Sequence, residues 1–164
     1  MILGFPRPRP WVGLDLLGGN YDGNPSWTVT RSAAQWFKLL VGTSGLTYSA
    51  HGRTYDAASS NPYWYHFPSL NVNAAGDLLV GFSGSRATEY IGAFFQGRKA
   101  NGTWMNRPGL VQAGRGAWGS DRWGDYSATS SDPSNGSLWT VQEYADPAHD
   151  APWGTWITQV GTNP

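Results

Sequence analysis

The densest cluster of chemically capable side chains is Arg122-Trp123-Gly124-Asp125-Tyr126, which gathers a cation, two aromatic rings and a carboxylate. A guanidinium grips a carboxylate through its planar fork, and aromatic faces stack on sugar rings. The cluster therefore suits a ligand-binding surface formed by Arg122, Trp123, Asp125 and Tyr126. It equally suits a salt bridge with turn hydrogen bonds that lock one structural unit to the next. Arg98 is a further candidate for bidentate carboxylate binding, against the alternative of a solvated strand end.

For catalysis the candidates are Asp125, Glu143 and Tyr144. Glu143 beside Tyr144 suggests a base and a nucleophile, but successive strand residues point to opposite faces, so sequence neighbours meet only across a bulge. Glycoside hydrolysis needs two carboxylates about 5 to 10 Å apart across the bond. Glu89 and Glu143 are the two glutamates, and the aspartates add further choices. Ser83 and Ser85 in Gly81-Phe82-Ser83-Gly84-Ser85 read as hydrogen-bonding turn serines, since no strand-to-helix elbow is expected there and no histidine is placed to serve them. His51, His66 and His149 are scattered without metal-ligand spacing, and Asp121, Asp125 and Asp132 do not follow a calcium-loop pattern. No metal and no cofactor is expected.

These side chains must be held by short strands. Pro68 to Ser83 reads as strand, turn, strand, and the same shape returns about 60 residues later, where Tyr126 to Ser130 leads through the turn Ser131-Asp132-Pro133-Ser134-Asn135-Gly136 into Leu138 to Tyr144. A third strand follows in each unit, at Tyr90 to Phe95 and at Trp153 to Ile157. A fainter copy precedes them, with strands at Leu14 to Leu17 and Ala34 to Leu39. The expected fold is all-β: a partial β-propeller of about two and a half four-stranded antiparallel blades, with a β-sandwich as the alternative. The division that follows is a Pro/Arg-rich segment over 1–10, an incomplete first blade over 11–61, a second blade over 62–121 and a third over 122–164 that lacks its last strand.

Composition agrees. Ten Trp, eight Tyr and six Phe accompany 22 Gly and 11 Pro in 164 residues, which favours pleated strands and tight turns over helices. Charged residues are 13% and balance at eleven of each sign, so no basic field gathers phosphates and nucleic acid is not an expected partner. There is no cysteine, which excludes disulfides and thiolate chemistry. The apolar run Ile2, Leu3, Phe5 is too short for a signal core or a membrane span. An array of fewer than four blades leaves apolar faces and strand edges open, so missing blades or self-association are expected to cover them.

Phe67-Pro68-Ser69, Gly81-Phe82-Ser83-Gly84-Ser85, Arg122-Trp123-Gly124-Asp125-Tyr126-Ser127-Ala128-Thr129, Asp132-Pro133, Glu143-Tyr144-Ala145 and Trp153-Gly154-Thr155-Trp156-Ile157 together resemble a group of bacterial secreted proteins built on a sialidase-like β-propeller. The resemblance covers about residues 31 to 160. It implies an extracellular propeller with more blades than this chain holds, of which the chain is a fragment. The family is not tied to one activity. Sialidase chemistry would need an arginine cluster, a Tyr nucleophile with its Glu, and an Asp acid. Two departures stand out. Phe5-Pro6-Arg7-Pro8 orders its residues differently from Phe-Arg-Ile-Pro, and Ser130 to Trp139 only echoes the Asp-box Ser-x-Asp-x-Gly-x-Thr-Trp. The expected function is binding of a glycan or another surface ligand. A sialidase-like glycoside hydrolase fragment and a structural or adhesion repeat are the alternatives, and whether the chain is an enzyme stays open.

Overall fold

Two similar reversals organise the chain. After Val72 the Asn73 carbonyl accepts from Gly76 N at 2.9 Å and the Asn73 side chain accepts from Asp77 N at 2.9 Å. After Ser131 the Asp132 carbonyl accepts from Gly136 N at 2.9 Å and its carboxylate accepts from Ser134 N at 2.8 Å. Gly76 and Gly136 both take left-handed φ, +90° and +73°, which a side chain would strain. Such side-chain-capped turns return the strand on itself, so each reversal builds an antiparallel hairpin.

The computed structural model describes residues 11–19, 29–43, 45–105, 107–119, 122–148 and 152–161. The segment 1–10, Asp121 and His149 lie outside the described residues. The chain is all-β. The first sheet contains β1 (Trp11–Gly19), β2 (Val29–Gly42) and β3 (Gly45–Thr54) in that order. The middle sheet is a four-stranded meander of β4 (Trp64–Val72), β5 (Leu78–Arg86), β6 (Glu89–Arg98) and β7 (Gly109–Gln112). The third sheet contains β8 (Ala128–Ser131), β9 (Leu138–Ala145) and β10 (Trp153–Val160). No helix among the described residues is long and apolar enough to cross a membrane.

The middle sheet is covered on both faces. Toward the first sheet it presents Leu78, Val80, Phe82, Tyr65 and Phe94, which form a core with Ala34 and Trp36 of β2. Edge-on contacts of Tyr65 with Phe82 and Phe94 at 4.8 and 5.7 Å set the rings in the favoured geometry. The opposite face of β5 meets β9 through polar groups. Ser69 Oγ lies 2.8 Å from Thr129 Oγ1, and the Gln142 amide donates to Ser69 Oγ at 3.0 Å and to Thr140 Oγ1 at 2.8 Å. Thr140 and Gln142 are each only 1% exposed, so the second interface rests in part on this satisfied polar network, beside buried Leu79 and Leu138. Gly81 makes room for it: a Cβ there would fall 2.0 Å from Thr140 Oγ1.

Several of these inter-sheet contacts join residues about sixty positions apart, including Ser69 with Thr129, Ser83 with Glu143 and Asn73 with Gly136. Repeated units lie side by side, equivalent position against equivalent position. Three stacked antiparallel sheets with open edges are consistent with a partial β-propeller. The β-sandwich alternative describes any two adjacent layers. At the outer rim of the third sheet, β10 has no further strand paired to it among the described residues, and Trp156 and Ile157 are exposed.

Candidate functional site

The Arg122 to Tyr126 segment lies between β7 and β8, at the end of the layers where β5 and β9 finish and β10 begins. Two side chains from the sheets hold it down. The Trp123 indole donates to Ser83 Oγ at 3.1 Å, and Ser83 Oγ in turn donates to the Glu143 carbonyl at 3.5 Å. The Gly124 amide donates to Glu143 Oε2 at 3.0 Å. Gly124 has φ +93°, and a Cβ there would fall 2.2 Å from the Phe67 ring. Phe67 itself sits at a bulge of β4 with φ +51°, a conformation in which a bulky residue is strained. The segment is thus fixed by an indole, a carboxylate and a close backbone approach.

Glu143 is 4% exposed. Burial pushes its carboxyl above the ordinary glutamate value and the Asp125 charge adds to this, while hydrogen bonds from the Gly124 and Tyr126 amides act the other way. Its neighbour Tyr144 points away from it, across the sheet. The Tyr144 hydroxyl donates to Asp146 Oδ2 at 3.1 Å, and Arg115 Nη1 pairs with the same oxygen at 3.0 Å. Burial, then the Asp146 hydrogen bond, raises the Tyr144 phenol above its usual range. Glu143 and Tyr144 accordingly serve different clusters on opposite sides of β9.

The remaining members of the segment face solvent. Arg122 and Asp125 form an exposed ion pair at 3.4 Å, with 81% and 63% of their side chains exposed. Tyr126 is exposed and stacks on Trp153, ring centroids 4.9 Å apart and planes at 24°. The structure therefore brings Arg122, Trp123, Asp125, Tyr126 and Glu143 to one place. Tyr144 sits on the other face of β9. Arg98 stands at the far end of β6, beside Trp36 and Trp104 rather than beside this segment.

Two arrangements were not legible in the sequence. The ladder places His66 of β4 directly across from Ser83 of β5, with Nδ1 buried and without a hydrogen-bond partner among the described residues. Burial pushes the His66 imidazole down to about 4. No spacing pattern signals this, because the pairing depends on strand register. Second, the Tyr63 hydroxyl donates to Glu89, which also pairs with Arg86, and the Arg86 guanidinium lies 4.5 Å above the Tyr63 ring. Burial and Glu89 push the Tyr63 phenol up to about 12, so it remains a donor at neutral pH. Among the described residues no group of three His, Asp or Glu side chains is placed to hold a metal ion.

Comparison with family models, with curated proteins and with solved structures finds no match to the chain.

Proposed function

We propose that the chain is a β-propeller segment of an extracellular bacterial protein, with blades divided at residues 61 and 121, that binds glycan or another surface ligand through Arg122, Asp125, Tyr126 and Trp153. Missing blades or a second copy cover its open edges. The observation that carries this reading is the stack of exposed Tyr126 on half-buried Trp153, beside a charged pair on a segment that Glu143 and Ser83 hold rigid. A rigid aromatic face loses little conformational entropy when a sugar ring lies on it, and the adjacent guanidinium and carboxylate supply directional hydrogen bonds. Screening the full chain on a glycan array, then comparing it with Tyr126→Ala, tests the reading. The substitution lowers affinity by about three- to tenfold while the melting temperature holds. A chain that captures no glycan refutes the glycan reading.

One observation favours a hydrolase instead: the Glu143 carboxyl is held above its ordinary value, as a general acid requires. Against it, Glu143 is buried and engaged with the Gly124 amide. A fluorogenic sialoside decides. Turnover that Glu143→Gln abolishes supports the hydrolase, and silence with the wild-type chain removes it.

A further inference from the structure

The second and third units repeat in their strand pairing, and the equivalence shows what their outer edges hold. In the middle sheet Leu78 pairs with Arg98 and Phe82 with Phe94. In the third sheet their counterparts Leu138 and Gln142 pair with Val160 and Trp156. Thr155, Trp156 and Ile157 of β10 therefore stand where Ala93, Phe94 and Phe95 stand in β6. On the far side of β6 those three residues pair with Gln112, Leu110 and Gly109 of β7. On the far side of β10 no strand is paired among the described residues.

Burial follows that difference. Beside β7, Phe94 is 4% exposed, whereas its counterpart Trp156 is 41% exposed, and Ile157 and Thr155 on either side are exposed as well. Successive strand residues point to opposite faces, so three exposed in a row mark a stretch open on both faces. The template for an occupant is β7 itself. Gly109-Leu110-Val111-Gln112 is uncharged, as is β10, and a Cβ on Gly109 would fall 2.7 Å from the Phe95 ring. A segment of this kind sets a small residue across from Ile157 and an aliphatic one across from Trp156, while its backbone supplies the ladder hydrogen bonds. We propose that β10 accepts an uncharged extended segment of the Gly-Leu-Val-Gln type from another polypeptide, antiparallel along residues 155–157, in the register in which β6 holds β7. The inference rests on the reading of the units as stacked repeats with open edges, and it stands whether or not the Arg122 segment binds glycan.

The probe is a capped, fluorescein-labelled peptide with the sequence of residues 108–114, titrated into the full chain by anisotropy while deuterium exchange reads the backbone. The expected result is saturable binding that slows amide exchange at residues 155–157. The same peptide with Leu110→Pro and Val111→Pro stays apolar but cannot donate to a ladder, and binds more weakly by about tenfold or more. In the chain, Ile157→Lys weakens the unmodified peptide by about three- to tenfold, whereas Leu46→Lys, at an exposed apolar position of β3, leaves it unchanged. Should Ile157→Lys fail to fold, the two peptides and the exchange map of the wild-type chain still decide. Equal affinity of the two peptides, protection at β3 or β7 instead of β10, or no saturable binding would overturn the proposal. So would self-association through β10 that the peptide fails to compete, which would assign the edge to a second copy of this chain. Ile157→Lys retains the glycan-array signal of the wild-type chain, so failure of one reading leaves the other legible.

Discussion

The hydroxyls of Ser69 and Thr129 lie 2.8 Å apart, and the two residues are 60 positions apart in the chain. Each precedes a capped turn, and the turns also touch, Asn73 Nδ2 donating to the Gly136 carbonyl at 2.8 Å. Repetition in the sequence has become adjacency in space, and the polar seam between the two sheets is made from the repeated positions themselves.

Gly81 limits how closely that seam can pack. A methyl at this position meets Thr140 Oγ1 at 2.0 Å and Gln142 Nε2 at 2.3 Å, and both partners are already engaged with Ser69 or Thr129. Gly81→Ala is expected to destabilise the chain by about 1 to 3 kcal/mol through overpacking. Gly119→Ala, where nothing lies within 4 Å, serves as the comparison and is expected to change little. Urea denaturation of the two variants measures the difference.

His66 makes stability depend on acid. Its folded value of about 4 lies below the ordinary 6.5, so the unfolded chain binds the proton first. The contribution of neutral His66 is complete above about pH 6.5, falls as pH drops, and is gone once pH passes through about 4. The full change is about 3 kcal/mol. The raised Glu143 carboxyl acts in the opposite sense, since it favours the protonated folded state. His66→Leu is expected to flatten the fall between pH 6.5 and 4, read from melting temperature against pH.

The hairpins on either side of Asn73 and Asp132 were legible because in each a turn with Asn, Asp and Gly leads into an apolar strand, and before the first turn apolar residues also alternate. Strand β3 was not: from Gly45 to Tyr48 its described residues are exposed, so no face is marked by burial. Strand β7 is only four residues long and leaves no period to detect. At the candidate site the sequence grouped Arg122 to Tyr126 as a cluster of mixed chemistry at the entrance to a strand. It could not show that Trp123 turns inward to Ser83 while Tyr126 turns outward to Trp153. Those directions come from register and from the bulge at Phe67, which no local pattern encodes.

Glu143 separates anchoring from chemistry. Gln keeps an acceptor for the Gly124 amide, whereas Ala removes it and opens a buried gap. Glu143→Gln is expected to melt near the wild-type temperature, and Glu143→Ala to lose about 1 to 3 kcal/mol. Exchange of the Gly124 amide with deuterium should accelerate in the Ala variant alone. Equal loss in both would show that charge, rather than the hydrogen bond, holds the segment.

Asp146 is fully buried and accepts from Arg115, from the Tyr144 hydroxyl and from the Ala148 amide. Replacing it with Ala orphans the Tyr144 hydroxyl and frees a turn, at a cost of about 2 to 4 kcal/mol. Arg115→Ala is milder, because half of the arginine side chain already faces solvent. A double-mutant cycle by chemical denaturation is expected to show strong coupling between these two positions.

Between Trp153 and Val160 the chain carries no Lys, Arg, Asp, Glu or Pro, the residues that ordinarily keep a strand margin from recruiting another backbone. Such a rim is where a further backbone would pair. An added strand would close a ring where the rotation between layers returns to its start, and would grow a filament where it does not.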